Sequence, residues 1–246
     1  MTFIRSRMNY IEYFNNIRKQ IVLIYIEGGI GVGKTTIINK YIEEHIQIKG
    51  VVHKIEEPIE EWTGNNFKNI NMLDEMYLDK TKLALFQNYI LNSHFLNMVK
   101  QIFLNKADIY IVERSIYSCR FVFTEMFYQN GDINNFEMVI LNKQFEVFNN
   151  FNSLPDYIFN IVCDSKICIK RIQKRGRKGE EQITLDYLLK LRYYELLLLE
   201  KFNKIIEVLT IHNDTEDDSD FTDIKQNKPD VNISLEKYKI TRSISF

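Results

Sequence analysis

Four of the chain's nine glycines fall within six positions, in Gly28-Gly29-Ile30-Gly31-Val32-Gly33-Lys34-Thr35-Thr36. The segment reads G-x-x-x-x-G-K-T, follows the apolar run Ile21–Ile26 and opens a helical pattern. That strand–turn–helix context separates a phosphate loop from a chance glycine cluster. Lacking Cβ atoms, Gly28, Gly29, Gly31 and Gly33 let backbone N–H groups turn inward around a polyphosphate. The following helix adds the positive end of its dipole to the same anion. Lys34 is placed to reach the β- and γ-phosphates, Thr35 to sit on Mg²⁺, and Thr36 to complete the cofactor-binding set. A chain built this way is expected to bind a nucleoside triphosphate.

The rest of the chain alternates strands with helices. Strands are expected at Ile21–Ile26, Val51–Glu57, Ile109–Val112, Tyr157–Val162 and Ile205–Ile211. Helices are expected at Val32–Ile48, Asn71–Tyr77, Lys80–Asn105, Ser115–Tyr128, Asn134–Asn150, through Lys174, and at Ile183–Asn203. Short continuous apolar strands separated by helices predict an α/β fold, a five-stranded parallel sheet with helices on both faces. Residues 1–212 read as one domain with a leader over 1–20, and residues 213–246 as a polar tail, disordered in part. At 246 residues the chain suffices for one such domain with a full core.

Composition removes several function classes. A net charge of −1 gives no field favouring nucleic acid or an anionic membrane. No apolar run approaches the ~18–20 residues that span a bilayer. Cys119, Cys163 and Cys168 lack metal-ligand spacing and suit a reducing compartment, so a cytoplasmic protein is expected. The basic Arg5, Arg7, Arg18 and Lys19 leave a mitochondrial transit peptide as the alternative reading of the first twenty residues.

Three further groups choose among phosphate-binding proteins. Glu57, in Glu57-Pro58-Ile59-Glu60-Glu61-Trp62, ends a strand and points a carboxylate into the cleft above an open α/β sheet. There it can accept a proton from an attacking hydroxyl. Glu113-Arg114-Ser115 ends another strand. The acid can hold Mg²⁺ or its water, and the guanidinium can neutralise transferring phosphoryl charge. Ser115 also suits an N-cap. Arg171, Arg175 and Arg177, followed by Gly179-Glu180-Glu181, read as a lid bringing cations to the γ-phosphate.

With these residues in place the chain resembles the deoxynucleoside kinase family. Five blocks match in order: the phosphate loop, Glu57-Pro58-x-x-x-Trp62, Phe86-Gln87-x-Tyr89, Glu113-Arg114-Ser115-x-Tyr117-Ser118-x-Arg120, and Arg175-Gly176-Arg177 with Glu180-Glu181. Together they cover about residues 20–212. The resemblance implies a P-loop kinase fold with an arginine-rich lid, ATP as phosphate donor with Mg²⁺, and transfer to a deoxynucleoside 5′-hydroxyl in nucleotide salvage. By that resemblance Glu57 is the base, Arg114 lies near the hydroxyl and transferred phosphate, and Glu113 is the metal-linked acid. Gln87 pairs with the base edge, and Trp62 and Phe123 wall the ring. Tyr77 and Glu181 hold the 3′-hydroxyl, with Tyr77 crowding out a 2′-hydroxyl. A homodimer is also implied, with Lys80–Asn105 and Asn134–Asn150 as candidate interface helices. The chain departs from the family in two spacings: Tyr77 to Gln87 is one residue shorter, and Lys178-Gly179 lengthens the lid by one.

An Asp in the Glu-Arg-Ser block, paired with an Arg on the glutamine-bearing helix, narrows the family's pocket toward cytosine and purines. The positions here are Cys119 and His94. Cys119 is small and apolar and leaves room for a 5-methyl group, and Ile90 adds an apolar wall. His94 reads either as packing or as a second polar contact to the base. A pyrimidine preference, for thymidine and deoxycytidine, is expected. Two alternatives stand beside this reading. A thymidylate kinase would need a cation for the acceptor's phosphate where this chain has Lys54-Ile55-Glu56-Glu57. A non-catalytic nucleotide-binding regulator would not need a base and a base-reading Gln in one cleft.

Overall fold

The computed structural model describes residues 11–41, 47–64, 68–151, 154–215 and 232–234. Five parallel strands form the main sheet in the order β3-β4-β1-β5-β6: Val52–Ile55, Ile109–Glu113, Val22–Glu27, Tyr157–Val162 and Glu207–His212. β1 lies at the centre, buried along its whole length. Its alternate residues feed two cores. Leu23 and Tyr25 pack on one face with Tyr110, Val112 and Ile158, while Val22, Ile24 and Ile26 pack on the other with Ile111, Phe159 and Ile161. A strand covered on both faces favours a continuous apolar run, here Val22–Ile26, which is why β1 shows no alternation before Glu27 at its carboxyl end. Cutting one of these side chains back to Ala costs about 2–5 kcal/mol.

The helices are α1 (residues 11–18), α2 (Lys34–Thr36, widening into a π turn at Ile37–Tyr41), α3 (Ile59–Thr63), α4 (Met72–Leu78), α5 (Leu83–Leu104), α6, α7 (Asn135–Asn149), α8 (Ser165–Arg175) and α9 (Leu185–Phe202). Helix α6 is Ile116–Ser118, a π segment Cys119–Thr124 and Glu125–Gln129 in succession. Helix α7 opens with a capping box between Asn134 and Glu137.

Three segments differ from the expectations. The helix expected over Val32–Ile48 stops short: Gln47–Lys49 is a strand, β2, paired in parallel with β7, Asn232–Ser234. Residues 42–46 of that expected helix lie outside the described residues. β-branched Ile48 beside Gly50 suits an extended chain once a partner strand is present, and local periodicity cannot reveal that partner. The boundary expected at 212 also moves. Asn213 and Thr215 are buried, Asn213 Nδ2 donates to Val32 O at 2.8 Å, and the phosphate loop thus rests on residues assigned to the tail. Residues 216–231 and 235–246 of the tail lie outside the described residues. The leader is likewise built in from residue 11: Phe14 is buried against Phe103 and Phe151, and Arg18 forms a buried ion pair with Asp156 at 2.9 Å. Residues 1–10 of the leader lie outside the described residues.

Candidate active site

The registers Ile26↔Glu113 and Ile55↔Val112 bring the carboxyl ends of β1, β4 and β3 to one edge of the sheet. The phosphate loop, Glu113-Arg114 and Glu57 follow those three ends, so one edge collects them all. Above it opens a cleft of about 950 Å³, lined by loop, lid and α5 residues together.

Lys34 is buried in the loop's mouth, and its Nζ donates to Gly29 O at 2.9 Å and Gly28 O at 3.2 Å. Burial lowers its pKa. Gly31 and Gly33 have left-handed φ angles of 82° and 90°. A Cβ on Gly31 would sit 2.8 Å from Cys168 O, and one on Gly33 2.5 Å from Asn213 Nδ2, so only glycine fits either turn. Thr35 Oγ1 lies 2.9 and 3.0 Å from the two carboxylate oxygens of Glu113, to one of which it donates. This hydroxyl–carboxylate pair is an all-oxygen donor set that suits a hard divalent cation. Burial, and then Glu57, push the Glu113 carboxyl upward.

Arg114 stands at the strand–helix junction with φ 62°, a left-handed angle uncommon for a non-glycine residue. Its neighbour Ser115 accepts from Ser118 N and caps α6, and Ser118 Oγ donates to the buried Glu27 carboxylate at 2.5 Å. Fixed in this way, Arg114 Nε donates to Glu57 Oε1 at 2.6 Å, and its guanidinium lies 4.7 Å from the Phe123 ring centroid. Burial alone would raise the Glu57 carboxyl. Arg114, then His94 and Lys34, outweigh it and hold that carboxyl well below the usual glutamate range.

The remaining expected residues divide. Trp62, Tyr77, Gln87, Ile90, Cys119 and Phe123 all line the cleft, and Trp62 Nε1 donates to Ser93 Oγ at 2.8 Å. Tyr77 and Tyr187 share a hydrogen bond, and burial pushes the Tyr77 hydroxyl to about 12. Glu181 stands apart: its carboxylate accepts from Gly179 N at 2.6 Å and does not line the cleft. Its neighbour Glu180 does line it, buried, with Oε2 accepting from Arg175 Nη2 at 2.7 Å and Oε1 from Arg177 Nη1 at 2.9 Å. The extra lid residue, Gly179 with φ 92°, turns the chain so that the first acid of the pair faces inward. Arg171 lines the cleft, but its guanidinium also clasps the loop, donating to Gly31 O at 3.2 Å and Thr215 O at 2.6 Å.

Three site residues escaped sequence reasoning. They are Glu180, the lid clasp; Tyr187, which orients Tyr77; and Thr124, whose hydroxyl lies 2.8 Å from Cys119 O and 3.3 Å from Gln87 Oε1. Only Glu180 had a signal, the doubled acid after the lengthened lid. The π segment that brings Cys119 and Phe123 to the cleft and Thr124 against Gln87 has no pattern of its own.

The family model for deoxynucleoside kinases matches residues 24–238. The chain is 32% identical to deoxycytidine kinase 2 of Gallus gallus over 90% of its own length and 92% of the relative's. It is 30% identical to a probable deoxycytidine kinase of fowlpox virus, covering 67% of this chain and 66% of the relative. Mitochondrial thymidine kinase 2 of Homo sapiens is also 30% identical, over 68% of this chain and 60% of that protein. The alignments thus span just under two thirds of the viral protein, three fifths of the human one and nearly all of the avian one.

Proposed function

We propose the following use of the cleft from the premise that this chain belongs to the deoxynucleoside kinase family and is an enzyme, a deoxynucleoside kinase with ATP as phosphate donor. Glu57 accepts the proton of the acceptor's 5′-hydroxyl as that oxygen attacks the γ-phosphorus. Arg114 stays protonated, keeps Glu57 ionised and neutralises charge on the transferring group. Lys34 leaves its loop carbonyls for the β- and γ-phosphates. Thr35 and Glu113 would hold Mg²⁺, which when bound would screen phosphate charge as a Lewis acid. Arg175 and Arg177 exchange Glu180 for the γ-phosphate as the lid closes. Glu180 then stands with Tyr77 beside the sugar 3′-hydroxyl, the role first expected of Glu181.

The observation that carries this reading is the Glu57–Arg114 contact at 2.6 Å in the same cleft as Lys34 and Gln87. A phosphate-binding regulator has no use for a fixed base beside a base-reading amide. Glu56, Glu57 and Glu60 line the same wall and disfavour an acceptor that already carries a phosphate. ADP release measured with the four deoxynucleosides and with their monophosphates tests both points. Release dependent on monophosphates alone would replace this reading with a thymidylate-type kinase.

Gln87 meets the base edge, and Cys119 and Ile90 leave an apolar wall with room for a pyrimidine methyl. The relatives named as deoxycytidine and thymidine kinases support that preference. A homodimer is proposed through α5 and α7. Phe136, Val139, Ile140 and Val147 form an exposed stripe on α7, and Leu85 and Leu96 are exposed on α5. No helix among the described residues is long and apolar enough to cross a membrane, and the three cysteines are free, as suits a reducing compartment.

A further inference from the structure

His94 lies on α5 seven residues after Gln87, about 10 Å further along the helix axis. That displacement takes the imidazole away from the base-reading amide and toward the reacting end of the cleft. The ring packs on Trp62 with centroids 5.1 Å apart and is buried. Its Nε2 has no hydrogen-bond partner among the described residues, yet it stands 3.5 Å from Glu57 Oε1, the same oxygen that takes Arg114 Nε at 2.6 Å. A buried ring nitrogen left without a partner is uncommon, and one aimed at the general base has an evident use.

We propose that His94 is a positioning residue for Glu57: with Arg114 it holds the Oε1 edge of the carboxylate, so that Oε2 faces the acceptor hydroxyl. This assignment rests on the kinase reading above. It removes His94 from the base-recognition role that sequence left open. The titratable groups facing the imidazole are Glu57, from the end of β3, and Cys119, from α6. Arg114 and Lys34 act on it through Glu57. Burial opposes a charge on the ring, but Cys119 and Glu57 outweigh it and push its pKa up to about 10, so His94 carries the N–H that the geometry requires.

Two variants separate positioning from packing. His94→Phe keeps a ring against Trp62 and removes the donor, whereas His94→Gln keeps a donor of similar reach. The expected result for His94→Phe is a fall in kcat of about tenfold or more, equal for thymidine and deoxycytidine, with acceptor KM within about twofold of wild type. His94→Gln should recover most of that loss. Histidine NMR on the free protein, with the His94 signal assigned by its disappearance in His94→Gln, gives a readout without substrate. In the wild type the His94 imidazole should remain charged at pH 8, and Glu57→Gln should shift its titration downward. Wild-type kcat in His94→Phe would overturn the proposal, as would a loss carried by acceptor KM that differs between the two bases. An imidazole titration unmoved by Glu57→Gln would overturn it as well. Wild-type protein inactive on every deoxynucleoside, but with the imidazole titrating as stated, would refute the kinase reading and leave the Glu57–His94 pairing standing.

Discussion

Arg114 Nε and Glu57 Oε1 meet at 2.6 Å across the ends of two neighbouring strands, with the guanidinium stacked over Phe123. Because Arg114, with His94 and Lys34, outweighs the effect of burial, the Glu57 carboxyl is depressed well below its ordinary value of 4.5. The base stays ionised until the pH falls through that depressed value, whereas the pair's contribution to stability is complete above the ordinary value of 4.5 and is lost progressively as pH falls from there to the depressed value. The acid limb of the kcat/KM profile attributable to Glu57 should therefore lie below pH 4.5 in the wild type. Arg114→Met should move that limb upward as well as slow the reaction. An unmoved limb in Arg114→Met would separate the two residues functionally.

Glu57→Gln removes the proton acceptor and keeps the shape of the side chain. Turnover should drop about 10²–10⁴-fold. Binding of the donor, followed by fluorescent nucleotide displacement, should remain near the wild-type value because the loop and Lys34 are untouched. Near wild-type turnover would remove Glu57 from the chemistry.

The lid supplies a sharper test. Glu180 is buried against Arg175 and Arg177, whereas Glu181 is engaged with the backbone of Gly179. Glu180→Ala should raise acceptor KM and lower kcat by at least about tenfold, since it loses both the sugar contact and the arginine clasp. Glu181→Ala should stay within a few-fold of wild type (about threefold). Arg175→Ala and Arg177→Ala should lower kcat with little change in acceptor KM, because their charge is needed in the transition state. The reverse ranking of Glu180 and Glu181 would restore the role that the family resemblance implies for Glu181.

These pairs show where sequence is informative. The phosphate loop, Glu57 and Glu113-Arg114 were legible because each joins a short motif to the end of an apolar strand, so the local pattern also fixes the spatial neighbourhood. The choice between Glu180 and Glu181 was not, because one inserted residue rotates two adjacent identical acids and no periodicity records which faces inward. The π segment at Cys119–Thr124 is likewise silent, since its wider turn depends on packing between α5 and α9 rather than on composition. β2 eluded the helical pattern because its partner lies far along the chain, at Asn232–Ser234.

Arg18 makes a prediction of a different kind. It lies in the stretch first taken for a leader, yet it is 1% exposed and pairs with Asp156 at 2.9 Å, while also donating to Leu154 O at 2.6 Å. Arg18→Met would leave the buried Asp156 carboxylate without its cation, with Leu23 N still donating to its Oδ2. Denaturant unfolding should show a loss of about 3–5 kcal/mol. A loss below ~1 kcal/mol would mean that the segment docks weakly and that the pair is dispensable.

The base pocket gives the last test. Gln87 is buried, with Thr124 against its amide, and Cys119 stands where a carboxylate would favour a charged partner on α5. An apolar wall of Cys119 and Ile90 tolerates the thymine methyl and offers purines no added polar contact. His94, which faces Cys119 from α5, is engaged with Glu57 and is no substitute for the arginine that a carboxylate-bearing pocket pairs with. Thymidine and deoxycytidine should thus lead in kcat/KM, with both purines behind. Cys119→Asp should reduce thymidine most, since the carboxylate takes the space of the 5-methyl group and requires solvation or a partner. Purines exceeding both pyrimidines by tenfold, about 1.4 kcal/mol in transition-state binding, would overturn this reading of the pocket.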